Sequence, residues 1–335
     1  MRPSVLVTAF AVLVVALLAG LLVGPVSMPI GGVLAEVADR MPLISIESGL
    51  DDRQAAIIWE IRLPRVVLGA LVGAVLSVSG AAYQGVFRNP LADPYLLGVA
   101  AGAGLGATIV IVGGGSSGLI PVAAFVGAVA AVVAAYALGA LGGGVRSSAM
   151  LILAGVAVAA FFTAAQTFVQ QQHTDSIREV FSWILGRLGT SGWSEVAVLT
   201  PYAVVSTIVI LLHRRLLDVL AVGEDEAGTL GVDPNRVRSL VVLAATLGTA
   251  AAVAVSGLIG FVGIIVPHTV RLMAGVSYRA ILPLAVIGGA AFLVLADLAA
   301  RTVLSPAEVP IGVVTAFVGA PFFALVLRTF KRGVL

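Results

Sequence analysis

The sequence predicts an all-α polytopic membrane protein with about ten transmembrane helices. Two composition figures and one pattern predict it. Of 335 residues, 60% are apolar and 11% charged, whereas soluble domains carry about 45–50% apolar and about 25% charged residues. The mean hydropathy is +1.12. The apolar residues gather into runs of the length that a helix needs to cross a bilayer, about 20 residues, and clusters of charge, Gly or Pro separate them.

The runs lie near 4–24, 64–84, 95–113, 119–140, 148–169, 195–213, 239–256, 258–274, 280–298 and 309–328. The first follows Arg2 and continues into Gly24-Pro25 without an A-x-A cleavage pattern, so it is expected to be a retained span and not a signal peptide. The eighth is short and broken by Pro267, His268 and Arg271. Residues 1–335 thus form a single transmembrane domain, from which a loop at 214–238 projects.

Ten spans place both termini on one side. The loops on that side hold twelve basic residues and the opposite set holds seven, so the positive-inside rule puts the termini in the cytoplasm. A weak internal echo supports an inverted repeat of helices 2–5 and 7–10. Val78-Ser79-Gly80, Pro90 and Gly98 recur as Val255-Ser256-Gly257, Pro267 and Gly275, a constant 177 residues later. Spans two and seven run in opposite directions, as in many transporters. Gly, Ser and Pro are also common in membrane helices, which leaves chance coincidence open.

Several chemistries are excluded. The single lysine, Lys331, precedes Arg332, so no Walker loop is present and the chain is not itself a P-loop ATPase. No cysteine is available for a disulfide or thiolate. His173, His213 and His268 lack a metal-ligand spacing, and no G-x-S-x-G motif occurs, so neither a metal site nor a catalytic residue is expected. A net charge of +2 with scattered arginines does not suggest nucleic acid. Ionisable residues in mid-span normally mark proton or sodium coupling, and the span centres here hold almost none. Asp297 comes nearest, one helical turn from Arg301 and suited to pair with it. Uphill transport would then draw its energy from a partner. The loop core, Ala221 to Pro234, starts an acidic helical turn at Glu224-Asp225-Glu226, which Gly231 can end, and Pro234 can open a second short helix.

Arg62-Leu63-Pro64-Arg65, Ser79-Gly80-Ala81, Gln84-Gly85 and Arg88-Asn89-Pro90-Leu91-Ala92-Asp93-Pro94 resemble the FecCD family, the iron-chelate and cobalamin permeases of type II bacterial ABC importers. So do Ser256 to Arg271, Gly223 to Val232, Glu308 to Gly312 and Gly319 to Phe323, in the family's order over nearly the whole chain.

The resemblance implies the type II importer permease fold, two permease copies in the bacterial inner membrane (a homodimer by expectation), and two cytoplasmic ATPase subunits carrying ATP and Mg. It also implies a periplasmic or lipid-anchored substrate-binding protein. The cargo it implies is a ferric siderophore, with haem or cobalamin open. Glu224, Asp225, Glu226, Ala227, Leu230, Gly231 and Val232 match the helix that couples to the ATPase. Arg62, Arg65 and Arg301 match arginines that meet glutamates of the binding protein, with anchoring of a helix end as the alternative for each. Asn89 and Leu91 match the cytoplasmic gate, although Asn89 also suits capping the next segment. Thr163, Gln166 and Thr167 share one face of the fifth span and are expected on the translocation path, or between packed helices. The polar stretch 170–193 corresponds to a short helix over the path mouth, with His173 as plain surface. The rival of another class is a self-sufficient carrier or channel, which would transport without nucleotide.

Overall fold

A computed structural model describes residues 3–40, 47–141, 148–189 and 192–332. The described residues are helical, with no strand. In chain order the helices are α1 (Pro3–Leu22), α2 (Ile30–Asp39), α3 (Asp52–Ala56), α4 (Leu63–Val86), α5 (Val99–Val112), α6 (Leu119–Leu141), α7 (Ser148–Gln172) and α8 (Ile177–Ile184). They continue with α9 (Ser194–Leu212), α10 (Arg214–Val222), α11 (Glu224–Thr229), α12 (Pro234–Ser256), α13 (Val262–Ala274), α14 (Tyr278–Thr302) and α15 (Ile311–Arg332). Each of the ten apolar runs corresponds to a helix. Seven are long and apolar enough to cross a membrane, while Val99–Val112, Val262–Ala274 and Ile311–Val326 are apolar but shorter.

The core is built on α4, α12 and α14. Most residues of α4 and α12 are buried, because small residues let the backbones approach, as membrane packing favours where apolar burial supplies no drive. A β-carbon on Gly73 of α4 would collide with the Gly289 carbonyl of α14, and one on Gly80 with Gly263 of α13. By contrast α1 exposes Val7, Phe10 and Val15. That surface suits lipid.

Helices α4–α7 and α12–α15 share an order of lengths, with a long helix, then a short one, then two long ones. Both short helices, α5 and α13, follow irregular backbone. The run of helices 2–5 and 7–10 is therefore visible as a length pattern, with α4 and α12 antiparallel. The 177-residue echo is not its trace: α4 and α12 begin at 63 and 234. Gly80 lies inside α4, whereas Gly257 caps α12 at φ 69°. The equivalent helices differ in length and loop, so a fixed offset cannot match them.

Candidate functional site

Three places gather the chemistry. At one end of the bundle, a capping box opens α3: the Asp51 carboxylate accepts the Gln54 N–H at 2.7 Å, and the Gln54 side chain accepts the Asp51 N–H at 3.2 Å. A π-helical turn, Ile57–Arg62, then leads into α4. Arg62 is buried and donates to the carbonyls of Leu21, Leu22 and Val26. Arg301 is buried too and donates to the Gly20 carbonyl at 2.5 Å. These carbonyls belong to the last turn of α1 and the chain beyond it, where no intrahelical donor exists and the dipole is negative. Two arginines from other helices therefore close the end of α1.

Arg65 lies beside them with a different set of partners. Its guanidinium pairs with Asp297 at 2.8 Å and with Glu308 at 2.8 Å. Asp297 also meets Arg301 at 3.4 Å, the expected pair one turn apart. Side-chain exposure is 13% for Arg65 and 47% for Glu308, so Glu308 is the solvent-facing member. Its hydrogen bond to Arg65 holds its carboxyl below the usual carboxylate range.

The second place is a cavity of about 450 Å³ beside α7. Thr163, Gln166, Thr167 and Gln170 line one wall, and Tyr95, Gly98, Ile184 and Leu258 lie opposite. The three expected path residues thus share one cavity. The Tyr95 hydroxyl donates to the Ile259 carbonyl at 2.9 Å and accepts from the Ile259 N–H at 3.1 Å, joining the irregular backbone before α5 to that before α13. The buried Gln84 amide donates to the carbonyls of Ala92 and Gly263 at 3.3 and 3.1 Å. Asn89 accepts the Leu91 N–H at 2.9 Å, a local turn that leaves Leu91 40% exposed. Burial lifts the Asp93 carboxyl in the same loop to about 6.

The third place is the opposite end, at 214–238. Glu224–Thr229 is helical, Leu230 caps it, and Gly231 takes the left-handed φ of 77°. The Val232 N–H returns to the Ala227 carbonyl at 3.0 Å, a helix-ending arrangement that glycine permits without strain. Pro234 does open a helix, with Asp233 accepting the N–H groups of Asn235 and Arg236 at 2.9 and 3.2 Å. That helix is α12 itself and not a short surface piece, because the apolar run of α12 continues without a break. Ala227 is buried, Val232 half-buried, and Asp225, Glu226, Leu230 and Gly231 are exposed.

Residues 12–329 match the FecCD transport family along the length of the bundle just described. The chain belongs to the FecCD transport family. Among FecCD relatives, it is 39% identical to the uncharacterized ABC transporter permease protein YvrB of Bacillus subtilis (strain 168), over 99% of this chain and 95% of that one. It is 43% identical to the cobalamin import system permease protein BtuC of Halobacterium salinarum, over 84% of this chain and 76% of that one. A solved structure described as an inward-facing conformation of a metal-chelate type ABC transporter superposes with a TM-score of 0.85 at 31% identity, covering 98% of this chain and all of that one. This FecCD chain is a multi-span permease subunit of ABC importer type.

The structure moves two of the expected docking arginines inward. Arg62 and Arg301 are spent on α1, since a buried guanidinium must satisfy its donors locally. Tyr95, Gln84 and Asp218 are polar contacts that sequence reasoning missed. Their partners are backbone groups more than 50 residues away for Tyr95 and Asp218, and no spacing rule reaches that far.

Proposed function

We propose that two copies of this chain form the translocation path of an importer for a bulky ferric siderophore. ATP hydrolysis on two separate cytoplasmic subunits would drive it, and a binding protein would deliver cargo from the opposite side. The supporting observation is the built projection at Glu224–Thr229, which offers Asp225, Glu226 and Leu230 to solvent from a bundle whose long helices hold no charged residue at mid-length. Energy from a nucleotide has a place to enter, and the middle of the long helices offers an ion gradient no charged residue to act on. The chain sits in the bacterial cytoplasmic membrane with both termini inside, an orientation that the asymmetry of basic residues supports.

In this reading Glu224 to Val232 is the coupling segment, with Ala227 as its buried anchor. Arg65 meets a carboxylate of the binding protein by displacing the solvent-facing Glu308, and Arg62 and Arg301 hold the helix ends that position it. Bidentate pairing suits the exchange, because guanidinium binds either carboxylate through two parallel hydrogen bonds. Leu91, held by the Asn89 turn, narrows the cytoplasmic end. The wall formed by Thr163, Gln166 and Thr167 is mildly polar, which suits cargo that must be released.

Relatives named for cobalamin and for hemin, the latter 41% identical over 81% of this chain and 83% of its own length, keep those cargoes as the second reading. Reconstitution with the ATPase subunits and the loaded binding protein tests both. Stimulation of ATPase and uptake by ferric siderophore supports the first reading, and stimulation by haem or cobalamin alone replaces it. Transport without nucleotide overturns the importer itself.

A further inference from the structure

The loop at 214–238 is tied to the rest of the bundle in several ways, three of which bear on how motion could leave it. It continues by chain into α12. Its α10 packs Leu217 against Gly85 of α4, an apolar contact without direction. The third contact is directional. The Asp218 carboxylate of α10 accepts the Tyr278 N–H at 2.5 Å and the Ser277 hydroxyl at 2.8 Å. Ser277 is the N-cap residue of α14 and makes no side-chain cap bond of its own. Asp218 therefore caps α14 from another helix, supplying the acceptor that the first N–H groups lack and the negative charge that the dipole favours there.

Helix α14 has 25 residues, so it runs about 37 Å at 1.5 Å per residue. Its far end carries Asp297 and Arg301. Those two residues fix it to Arg65, to the end of α1 and, through Arg65, to the solvent-facing Glu308. One helix is thus held by carboxylates at both ends, by Asp218 at the coupling loop and by its own Asp297 at the opposite face. Between them it is locked to α4 by the Gly73–Gly289 approach. Closely packed interiors deform as discrete shifts and not continuously.

We propose that α14 is the rod that carries motion between the coupling loop and the opposite face, and that Asp218 is the positioning residue that couples it to the loop. The proposal rests on the reading of the chain as an ATP-driven permease. A push on α11 moves α10, Asp218 carries the N-terminus of α14 with it, and the Asp297–Arg65–Glu308 cluster shifts at the other end. By linkage the path works in both directions, so occupation of the cluster biases the loop.

The chain has no cysteine, so single labels can be placed cleanly. In the full complex with its ATPase subunits, spin labels at Thr302→Cys, exposed at the end of α14, report the distance between the two copies with and without vanadate-trapped nucleotide. A second label at Thr167→Cys reports α7. The parent complex is expected to show a shift of about 2 Å or more at 302. Asp218→Ala is expected to remove the shift at 302 and keep that at 167. Asp218→Asn, which retains an acceptor for the Tyr278 N–H, restores it, and Ser277→Ala, which removes one of two bonds, gives a partial loss. A shift at 302 that survives Asp218→Ala overturns the proposal. So does loss at both labels, which marks a merely structural role, and so does a parent shift at 167 alone. If neither label moves in the parent complex, the ATP-driven reading fails instead.

Discussion

The two ends of the molecule use their charges in opposite ways. At the Arg62 end, three arginines and two carboxylates are paired with one another or with the backbone of α1, and only Glu308 faces solvent appreciably. At the 214–238 loop, Asp225 and Glu226 stand exposed on a helix anchored by the small buried side chain of Ala227. A buried guanidinium cannot stay unpaired, so the first set is committed to the fold before any partner arrives. The second set has water as its alternative and stays available. Substitutions at the first end should therefore be read in stability, and at the second in assembly.

The largest effect that would break this contrast is expected at Arg62. Arg62→Ala leaves the carbonyls of Leu21, Leu22 and Val26 without their donor and should cost on the order of 3 kcal/mol, seen as a lower thermal midpoint in detergent. An unchanged midpoint would mean that α1 is not closed by this residue. Next, Asp225→Lys with Glu226→Lys should leave the melt within about 0.5 kcal/mol of the parent while abolishing co-purification of the ATPase subunits. A loss of stability there would erase the difference between the ends.

A smaller effect is expected at Glu308, whose carboxyl is held low by Arg65. A depressed carboxylate contributes stability above its ordinary pKa, and the contribution is lost as pH falls through the lowered value. Because the side chain is half exposed, the pair is worth only about 0.5–1 kcal/mol. Glu308→Gln should flatten the acid limb of a stability profile below pH 4.5, the ordinary value. The same variant should bind the binding protein more tightly, since a competing carboxylate is gone. Weaker binding would show that Glu308 is itself a contact. The smallest effect is at Asp93, raised by burial to about 6. A raised carboxyl costs stability when ionised, and the cost is relieved as pH falls through that value. Asp93→Asn should melt higher than the parent at pH 8, with the difference shrinking as pH falls below about 6 and vanishing only below the ordinary value of 3.8; equal melts at pH 8 would count against a buried charge.

Much of this was legible in the sequence because it is local. Apolar run length gave all ten bundle helices, and Glu224 to Gly231 showed its helix start and its glycine end. Asp297 and Arg301 stand one turn apart on one helix, so their pairing needed no tertiary knowledge. The destination of Arg62 was not legible. The sequence allows Arg62 to meet a partner or to anchor a helix end, and only the arrival of α1 alongside selects the second and names the helix. The cap that Asp218 places on α14 was equally hidden, since 60 residues separate the donor and acceptor.

The sequence by itself determined that the chain is a membrane bundle, where its apolar helices lie, and that it carries no Walker loop, because composition, run length and a missing Walker lysine act residue by residue. Tertiary structure alone decided which charges remain free. In a medium without water, a buried donor can be satisfied only by an acceptor that packing supplies, as Arg62 is by the carbonyls of Leu21, Leu22 and Val26, and that acceptor is chosen by which helices lie side by side.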